Sequence, residues 1–139
     1  MKPKVFFRAD GNAETGLGHL VRSLALACML RKHFQISFYS RNIPENIKRE
    51  MEENGIAVVK ITEESEFMEK LEPGVVVVLD SYHFDVSYHR QIKEKGSKLA
   101  CIDDIHDQEF DADLIINQAP GIRPEDYSTT AETRFALGP

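Results

Sequence analysis

The stretch VVVVL, residues 75–79, is a continuous apolar run in which polar side chains do not alternate. Strands with apolar side chains on both faces are typical of the middle of a parallel sheet, where helices cover both surfaces. Pro73 and Gly74 precede the run and Asp80 follows it, so it has the length of one buried strand. This stretch therefore predicts a central parallel strand in an α/β domain.

Strand-like and helix-like segments alternate on both sides of this central run. Strands are predicted at Lys4–Ala9, 36–40, 56–61, Lys98–Ile102 and 113–117, and helices at 19–33, 44–54, 63–71 and 85–95. Such βαβα alternation predicts an open, doubly wound, Rossmann-like parallel sheet, in which ligands bind beyond the carboxyl ends of the strands. The C-terminal segment, residues 121–139, is polar and lacks periodicity, so we expect it to be irregular.

Composition limits the classes of function that the chain can have. Its 139 residues suit one domain, spanning 1–139. A formal net charge of −6 argues against a nucleic-acid-binding surface, which needs clustered lysine and arginine. No apolar stretch approaches the roughly 20 residues of a membrane span. The two cysteines, Cys28 and Cys101, lie in apolar runs, as expected of free buried thiols in the cytoplasm.

A glycine-rich loop joins the first strand to the first helix. In ADGNAETGLGHLVRSLALA, residues 9–27, Gly16 and Gly18 precede His19 at the start of the helix. Glycine allows a close backbone approach to a ligand, and the unpaired amides of a helix start attract anionic oxygen. His19 can project into the crevice at the strand ends and act as a general base, tuned by Asp10 or by the helix start. The alternative is a simple turn with a solvated histidine.

The spacing of this loop does not fit two common nucleotide-binding motifs. A dinucleotide fingerprint needs a small residue where Val21 stands, and a phosphate-binding loop needs a Gly-Lys-Ser/Thr sequence that does not follow here. Arg22 lies one helical turn after His19, so both can face the same side, where Arg22 would steady the loop or meet a phosphate. Arg8, at the end of the first strand, is expected to pair with Asp10 or another carboxylate.

Polar residues also follow the central strand. Asp80 ends it, at the edge where a doubly wound sheet binds ligands, and Tyr82 favours such a contact. The other interpretation of Asp80 is a helix cap or a loop anchor that bonds to backbone amides. His83 and His89 flank the start of the next helix, and we expect both at the surface.

A further acidic cluster lies in CIDDIHDQEF, residues 101–110. Its Asp103, Asp104, His106 and Asp107 are possible ligands for a divalent cation. Adjacent loop carboxylates are more often solvated or capping, and this spacing matches no metal motif, so neither a metal nor a cofactor is predicted. Asp104 could instead pair with Arg8 or contact a sugar.

These motifs together resemble a known enzyme family. Arg8-x-Asp10 followed by Gly16-x-Gly18-His19-x-x-Arg22 resembles the opening of the PseG family, the UDP-sugar hydrolases of pseudaminic acid biosynthesis. The similarity continues through LDSYHFD (79–85), IDD (102–104), Asn117 and the terminal RFALGP, and thus covers nearly the whole chain. The family is related to two-domain glycosyltransferases of the GT-B type, including the MurG group.

The resemblance implies an activity and a domain arrangement. PseG enzymes hydrolyse UDP-2,4-diacetamido-2,4,6-trideoxy-β-L-altropyranose to the free sugar and UDP. They bind UDP mainly through a C-terminal domain, which would be the partner of this N-terminal half, so we expect the chain alone to be inactive. His19 would activate water, and Tyr82 would line the sugar pocket. The predicted substrate-binding residues are Arg8, Asp10, Gly16, Gly18, Arg22, Asp80, Tyr82, Asp104 and Asn117.

Two other functions stay open on the sequence alone. A GT-B glycosyltransferase acceptor domain would use the same histidine to activate a sugar or lipid hydroxyl instead of water. Exposed apolar residues near the loop would favour a lipid acceptor, and we expect no such cluster. A non-catalytic sugar-binding module would keep the loop for structural reasons.

Overall fold

The computed structural model describes residues 2–12, 16–80, 83–104, 108–129 and 133–138. Helices alternate with strands along most of the chain. The helices are α1 (Gly18–Leu30), α2 (Glu45–Glu53), α3 (Glu64–Met68) and α4 (Val86–Glu94), with a 3-10 turn at Pro124–Asp126. The strands are β1 (Lys4–Ala9), β2 (Gln35–Ser40), β3 (Ala57–Lys60), β4 (Val76–Asp80), β5 (Lys98–Ile102), β6 (Glu109–Phe110), β7 (Leu114–Asn117), β8 (Ser128–Thr129) and β9 (Arg134–Leu137).

The main sheet is parallel and has the strand order β3-β2-β1-β4-β5-β7-β9. The chain builds outward from β1 to β3, then returns to β1 and builds in the other direction from β4. The prediction of a doubly wound, Rossmann-like α/β fold is confirmed. The reversal between β1 and β4 is the switch point at which such sheets open a crevice beyond the strand ends.

The central strand and the flanking helices form for the reasons the sequence indicates. Val77 and Val78 of β4 are 0% and 3% exposed, because helices cover both faces of the sheet. Helix α1 buries Leu20, Leu24 and Ala27 at helical spacing. Helix α2 begins after Pro44 and ends before Gly55, whose φ of +79° suits glycine after a helix end.

Two apolar clusters pack on opposite faces of the sheet. One joins α1 and α2 to β1 and β2 through residues such as Phe7, Phe38 and Met51. The other joins α3 and α4 to the sheet through Phe67 and Met68, among others. Met51 and Met68 are therefore core residues. None of the described helices is long and apolar enough to cross a bilayer.

His89 lies in the core, so the prediction of a surface position was wrong. It is 1% exposed, its Nδ1 accepts a hydrogen bond from the Asp111 amide at 3.2 Å, and its ring stacks on Phe110. Burial lowers the pKa of His89 to about 4, although Asp111 and Asp85 oppose that shift. The burial of His89 could not be predicted from the sequence, because residue spacing does not distinguish a histidine on the inner face of α4 from any other polar helix residue. His83 is exposed, as expected.

The C-terminal segment is more ordered than its composition indicates. Strand β9 pairs with β7 and extends the sheet, while β8 pairs with β6 in a separate two-stranded sheet. Strand β9 was not predicted, because an edge strand is only half covered and the apolar run of β9 is three residues long. Cys28 and Cys101 are free, as predicted, although only Cys101 is fully buried.

Candidate functional site

The glycine-rich loop places His19 at the second position of α1. Gly16 has a φ of +99°, and its amide donates to the Asn12 carbonyl at 2.9 Å. A side chain at Gly11 would come within 2.9 Å of the Gly16 carbonyl oxygen, so this close packing requires glycine. Helix α1 follows Leu17 with no side chain capping its first amides. The loop therefore presents the first turn of α1 at the switch point of the sheet.

Asp80 is the partner of His19. The His19 Nδ1 atom lies 2.6 Å from the Asp80 Oδ1 atom. Asp80 ends β4 next to Ala9 of β1 and is fully buried, whereas the His19 side chain is 23% exposed. Asp10, one of the two features expected to tune the histidine, lies with Arg8 instead.

The Asp80 carboxylate accepts further hydrogen bonds from the same helix. Arg22 donates from Nε to Oδ2 at 2.7 Å and from Nη2 to Oδ1 at 2.5 Å, which is a two-point clamp. Ser23 donates its hydroxyl to Oδ2 at 3.0 Å. Asp80 therefore ties the start of α1 to the end of β4. It is not the cap of the next helix, because Asp85 caps α4.

These contacts decide which nitrogen of His19 carries the proton. An ionised carboxylate only accepts hydrogen bonds, so the nitrogen 2.6 Å from Asp80 must donate. The Arg22 Nη2 atom lies 3.3 Å from the same nitrogen, but both groups are donors there, and the contact is a nearby cation rather than a hydrogen bond. In the neutral ring Nε2 then has the lone pair, as in the histidine of a hydrolase triad.

His19 lines an open cleft of about 510 Å³. Its other polar side chains are Arg22, Asp104 and Gln118, and Arg22 Nη1 donates to Asp104 Oδ2 at 3.2 Å. Asp104 thus pairs with Arg22 rather than with Arg8. The rest of the lining consists of Gly16, Gly18, Val21 and Ala25.

The outer face of α1 carries exposed apolar side chains, of which Val21 lies near the loop and Met29 near the other end of the helix. Val21 is 55% exposed and Met29 is 74% exposed, and Ala25 lies between them at helical spacing. Val21 and Ala25 also line the cleft. An apolar stripe therefore leads away from the histidine along the helix.

Arg8 and Asp10 occupy the opposite face of the sheet. Arg8 is 1% exposed and pairs with Asp10 at 2.8 Å and with Glu64, so its predicted pairing is confirmed. Its guanidinium lies 5.2 Å from the centre of the Phe84 ring. A second cleft, of about 320 Å³, is lined by Arg8, Asp10, Glu64, Phe84 and Tyr88, among others.

Charge and burial shift the pKa values of ionisable groups in the second cleft, among them Asp10 and Tyr88. Burial alone would raise the pKa of Asp10, but the hydrogen bond and charge of Arg8 bring it below its ordinary value. Burial raises the pKa of Tyr88, and so does the hydrogen bond that its hydroxyl donates to Glu64 at 2.8 Å. At neutral pH the second cleft therefore presents the ionised Asp10 carboxylate beside a neutral phenol.

Asn117 and Asp103 lie beneath the strand ends and do not line either cleft. Asn117 is fully buried; its Nδ2 donates to the Tyr127 hydroxyl at 2.8 Å, and its Oδ1 accepts from the Ala119 amide. The Tyr127 hydroxyl donates to Asp103 at 3.0 Å. This buried network holds the C-terminal segment against β5 and β7.

Several predicted residues lie outside the described part of the chain, namely Tyr82, His106 and Asp107. Within the described ranges, no group of three or more His, Cys, Asp or Glu side chains is arranged to hold a metal ion. Sequence analysis did not single out Ser23 or Glu64. A serine between Leu20, Leu24 and Ala27 on the buried face of α1 was the signal that could have identified Ser23.

Comparison with known proteins adds one relative. No protein-family model matches the chain. It is 29% identical over 124 residues to the uncharacterized protein MJ1062 of Methanocaldococcus jannaschii, an alignment that covers 85% of this chain and 25% of that protein. The chain therefore spans about a quarter of the length of the relative it matches.

Proposed function

We propose that the chain is the sugar-binding half of a UDP-sugar hydrolase that resembles the PseG family, with His19 as the general base. The observation that carries this proposal is the contact between His19 Nδ1 and the buried Asp80 carboxylate at the switch point of the sheet. That arrangement leaves Nε2 as the proton acceptor of a partly exposed imidazole that lines a cleft.

The proposed reaction is a single displacement at the anomeric carbon. A water molecule gives one proton to Nε2 of His19 while its oxygen bonds to the anomeric carbon. The bond between that carbon and the UDP oxygen breaks, and UDP leaves with the electron pair. Asp80 stabilises the imidazolium that forms, because its carboxylate faces the Nδ1–H. The products are the free sugar and UDP, and the imidazolium then returns its proton to solvent.

The substrate would be divided between this chain and a separate domain. In this proposal Arg22, Asp104, Gly16 and Gly18 shape the sugar site around His19, and a separate domain binds UDP. The resemblance supports this division. Arg8 and Asp10 would act from the second cleft, beyond the other face of the sheet. The substrate would be the diacetamido-trideoxy sugar linked to UDP.

The test is UDP release by the full-length protein that contains this chain. Replacing His19 with Asn should lower the rate by about 10²-fold or more, since a positioned base contributes ~10²–10⁴-fold. The matched control is His33→Asn, because His33 is an exposed histidine beyond the other end of α1. The proposal fails if the His19 variant keeps most of the rate, or if both variants lose it equally.

The apolar stripe on α1 favours one competing function. Exposed Val21 and Met29 could accept the apolar part of an acceptor in a glycosyltransferase that uses the same histidine. Supplying the UDP-sugar without an acceptor separates the two functions, because a hydrolase turns over and a transferase does not. A non-catalytic module would show neither activity. For the chain alone we expect little UDP binding, and tight UDP binding would contradict the division of labour between the halves.

A further inference from the structure

The buried Asp80 carboxylate needs a positive partner. It is fully removed from solvent, and an ionised carboxylate in that position is costly unless a cation pairs with it. Two groups in contact with it can supply that charge. Arg22 is one, and a protonated His19 is the other.

Arg22 has the geometry to take this role alone. Its guanidinium holds both carboxylate oxygens, which matches the fork-shaped pairing that arginine forms with carboxylates. Its Nη2 atom also lies 3.3 Å from Nδ1 of His19, where a second positive charge on the imidazole would be repelled. From the elements packed around it, His19 thus faces Asp80 of β4, Arg22 of its own helix and, through Arg22, Asp104 beyond β5.

We propose that Arg22 is a positioning residue for His19: it supplies the positive charge that buried Asp80 requires, and so leaves the imidazole neutral and able to accept a proton. Without Arg22, the carboxylate would draw a proton onto His19, and an imidazolium cannot act as a base. This inference rests on the proposed role of His19 in the hydrolase. It gives Arg22 a task that does not require contact with the substrate.

The protonation state of His19 tests the inference without any turnover. The chain is labelled in its imidazole nitrogens and studied by NMR at about pH 8, well above the ~6.5 at which an ordinary histidine titrates. We expect a neutral His19 with its proton on Nδ1. In R22Q the ratio of imidazolium to neutral ring should rise at least ~10-fold, because an unopposed charge at this distance shifts a titration by about one to three pH units.

Three further variants identify the cause. R22K keeps a positive charge beside Asp80 and should restore a neutral His19. R31Q removes an exposed arginine just beyond α1 and should change nothing. The double variant R22Q/D80N removes both the clamp and the buried charge, so His19 should again be neutral, which shows that Arg22 acts through Asp80.

The outcomes separate cleanly. A ratio of imidazolium to neutral His19 in R22Q within a few-fold of wild type, or a raised ratio that persists in R22Q/D80N, overturns the inference. Should R22Q fail to fold, the double variant decides: a folded R22Q/D80N with neutral His19 supports the inference, and a double variant as unstable as R22Q contradicts it. If these results hold but the full-length protein releases no UDP, the proposed reaction is wrong while the role of Arg22 stands.

Discussion

Asp80 and His19 are 61 residues apart in the chain, yet the Asp80 Oδ1 atom lies 2.6 Å from the His19 Nδ1 atom. The parallel pairing of β1 with β4 creates this contact, because it places Asp80 beside Ala9 and hence beneath the start of α1. The carboxylate is buried and the imidazole is partly exposed. The topology of the sheet thus gives His19 a buried carboxylate on one side and an open cleft on the other.

Replacing Asp80 with Asn should therefore lower turnover more than it lowers binding. An Asn side chain can donate as well as accept, so it no longer imposes the Nδ1–H form of His19. We expect kcat for UDP release by the full-length protein to fall about 10²- to 10⁴-fold. Asp85→Asn is the control, since Asn caps a helix as well as Asp and Asp85 serves α4 in that way. A D80N enzyme within a few-fold of wild type would contradict this role.

Acid should destabilise the fold through His89. The pKa of this buried ring lies near 4 when folded, against ~6.5 for an ordinary histidine, so the unfolded chain binds the proton first. Neutral His89 contributes up to about 3 kcal/mol to the free energy of unfolding. This contribution is complete above about pH 6.5 and is lost as the pH falls towards 4.

Urea unfolding at about pH 7 and about pH 4.5 measures this contribution of His89. His89→Gln should reduce the difference in unfolding free energy between the two pH values, because glutamine does not titrate. Exposed His33→Gln should leave it unchanged. If the two variants have the same pH dependence, His89 is not the source of acid lability.

The loop geometry predicts opposite effects of alanine at two neighbouring glycines. Gly16→Ala places a side chain at a φ of +99° and should destabilise the fold by about 1–2 kcal/mol. Gly18 is the first residue of α1 and has open space around its Cβ position, so Gly18→Ala should be neutral or stabilising by up to about 1 kcal/mol. If the unfolding curves of the two variants coincide, the turn at Gly16 is not needed for stability.

Removing one hydroxyl should weaken the buried network at the C-terminal segment. Tyr127→Phe leaves Asp103 and Asn117 without a shared partner, at a cost of about 1–3 kcal/mol in unfolding free energy. Tyr88→Phe removes a hydroxyl that bonds to the partly exposed Glu64, where water can replace it, and should cost less. If both variants lose the same unfolding free energy, burial of the network does not add to stability.

Local pattern was sufficient to predict most of the fold. The run at β4 and the alternation around it indicated the doubly wound sheet, because hydrophobic periodicity reports burial directly. Strand β9 was missed because edge strands are half exposed and carry a weaker signal. The burial of His89 was missed because only the packing of α4 against the sheet decides it.

The candidate site was predictable in its members but not in its pairings. His19, Arg22 and Asp80 stood out because strand ends and helix starts converge in this fold. Which carboxylate meets the histidine depends on strand register across the switch point, and no local pattern specifies that register. The separation of Arg8 and Asp10 onto the other face likewise follows from side-chain alternation along β1 together with the placement of α3.

The central claim is that His19 directs water to the anomeric carbon of a UDP-sugar, and isotope labelling tests it most directly. The full-length protein is incubated with the UDP-sugar in water labelled with heavy oxygen, and any UDP formed is analysed by mass spectrometry. We predict that UDP carries no label, because its oxygen bridge stays with phosphorus, and that the His19→Asn variant releases little UDP. Label in the UDP phosphate, or undiminished release by the variant, would contradict the account.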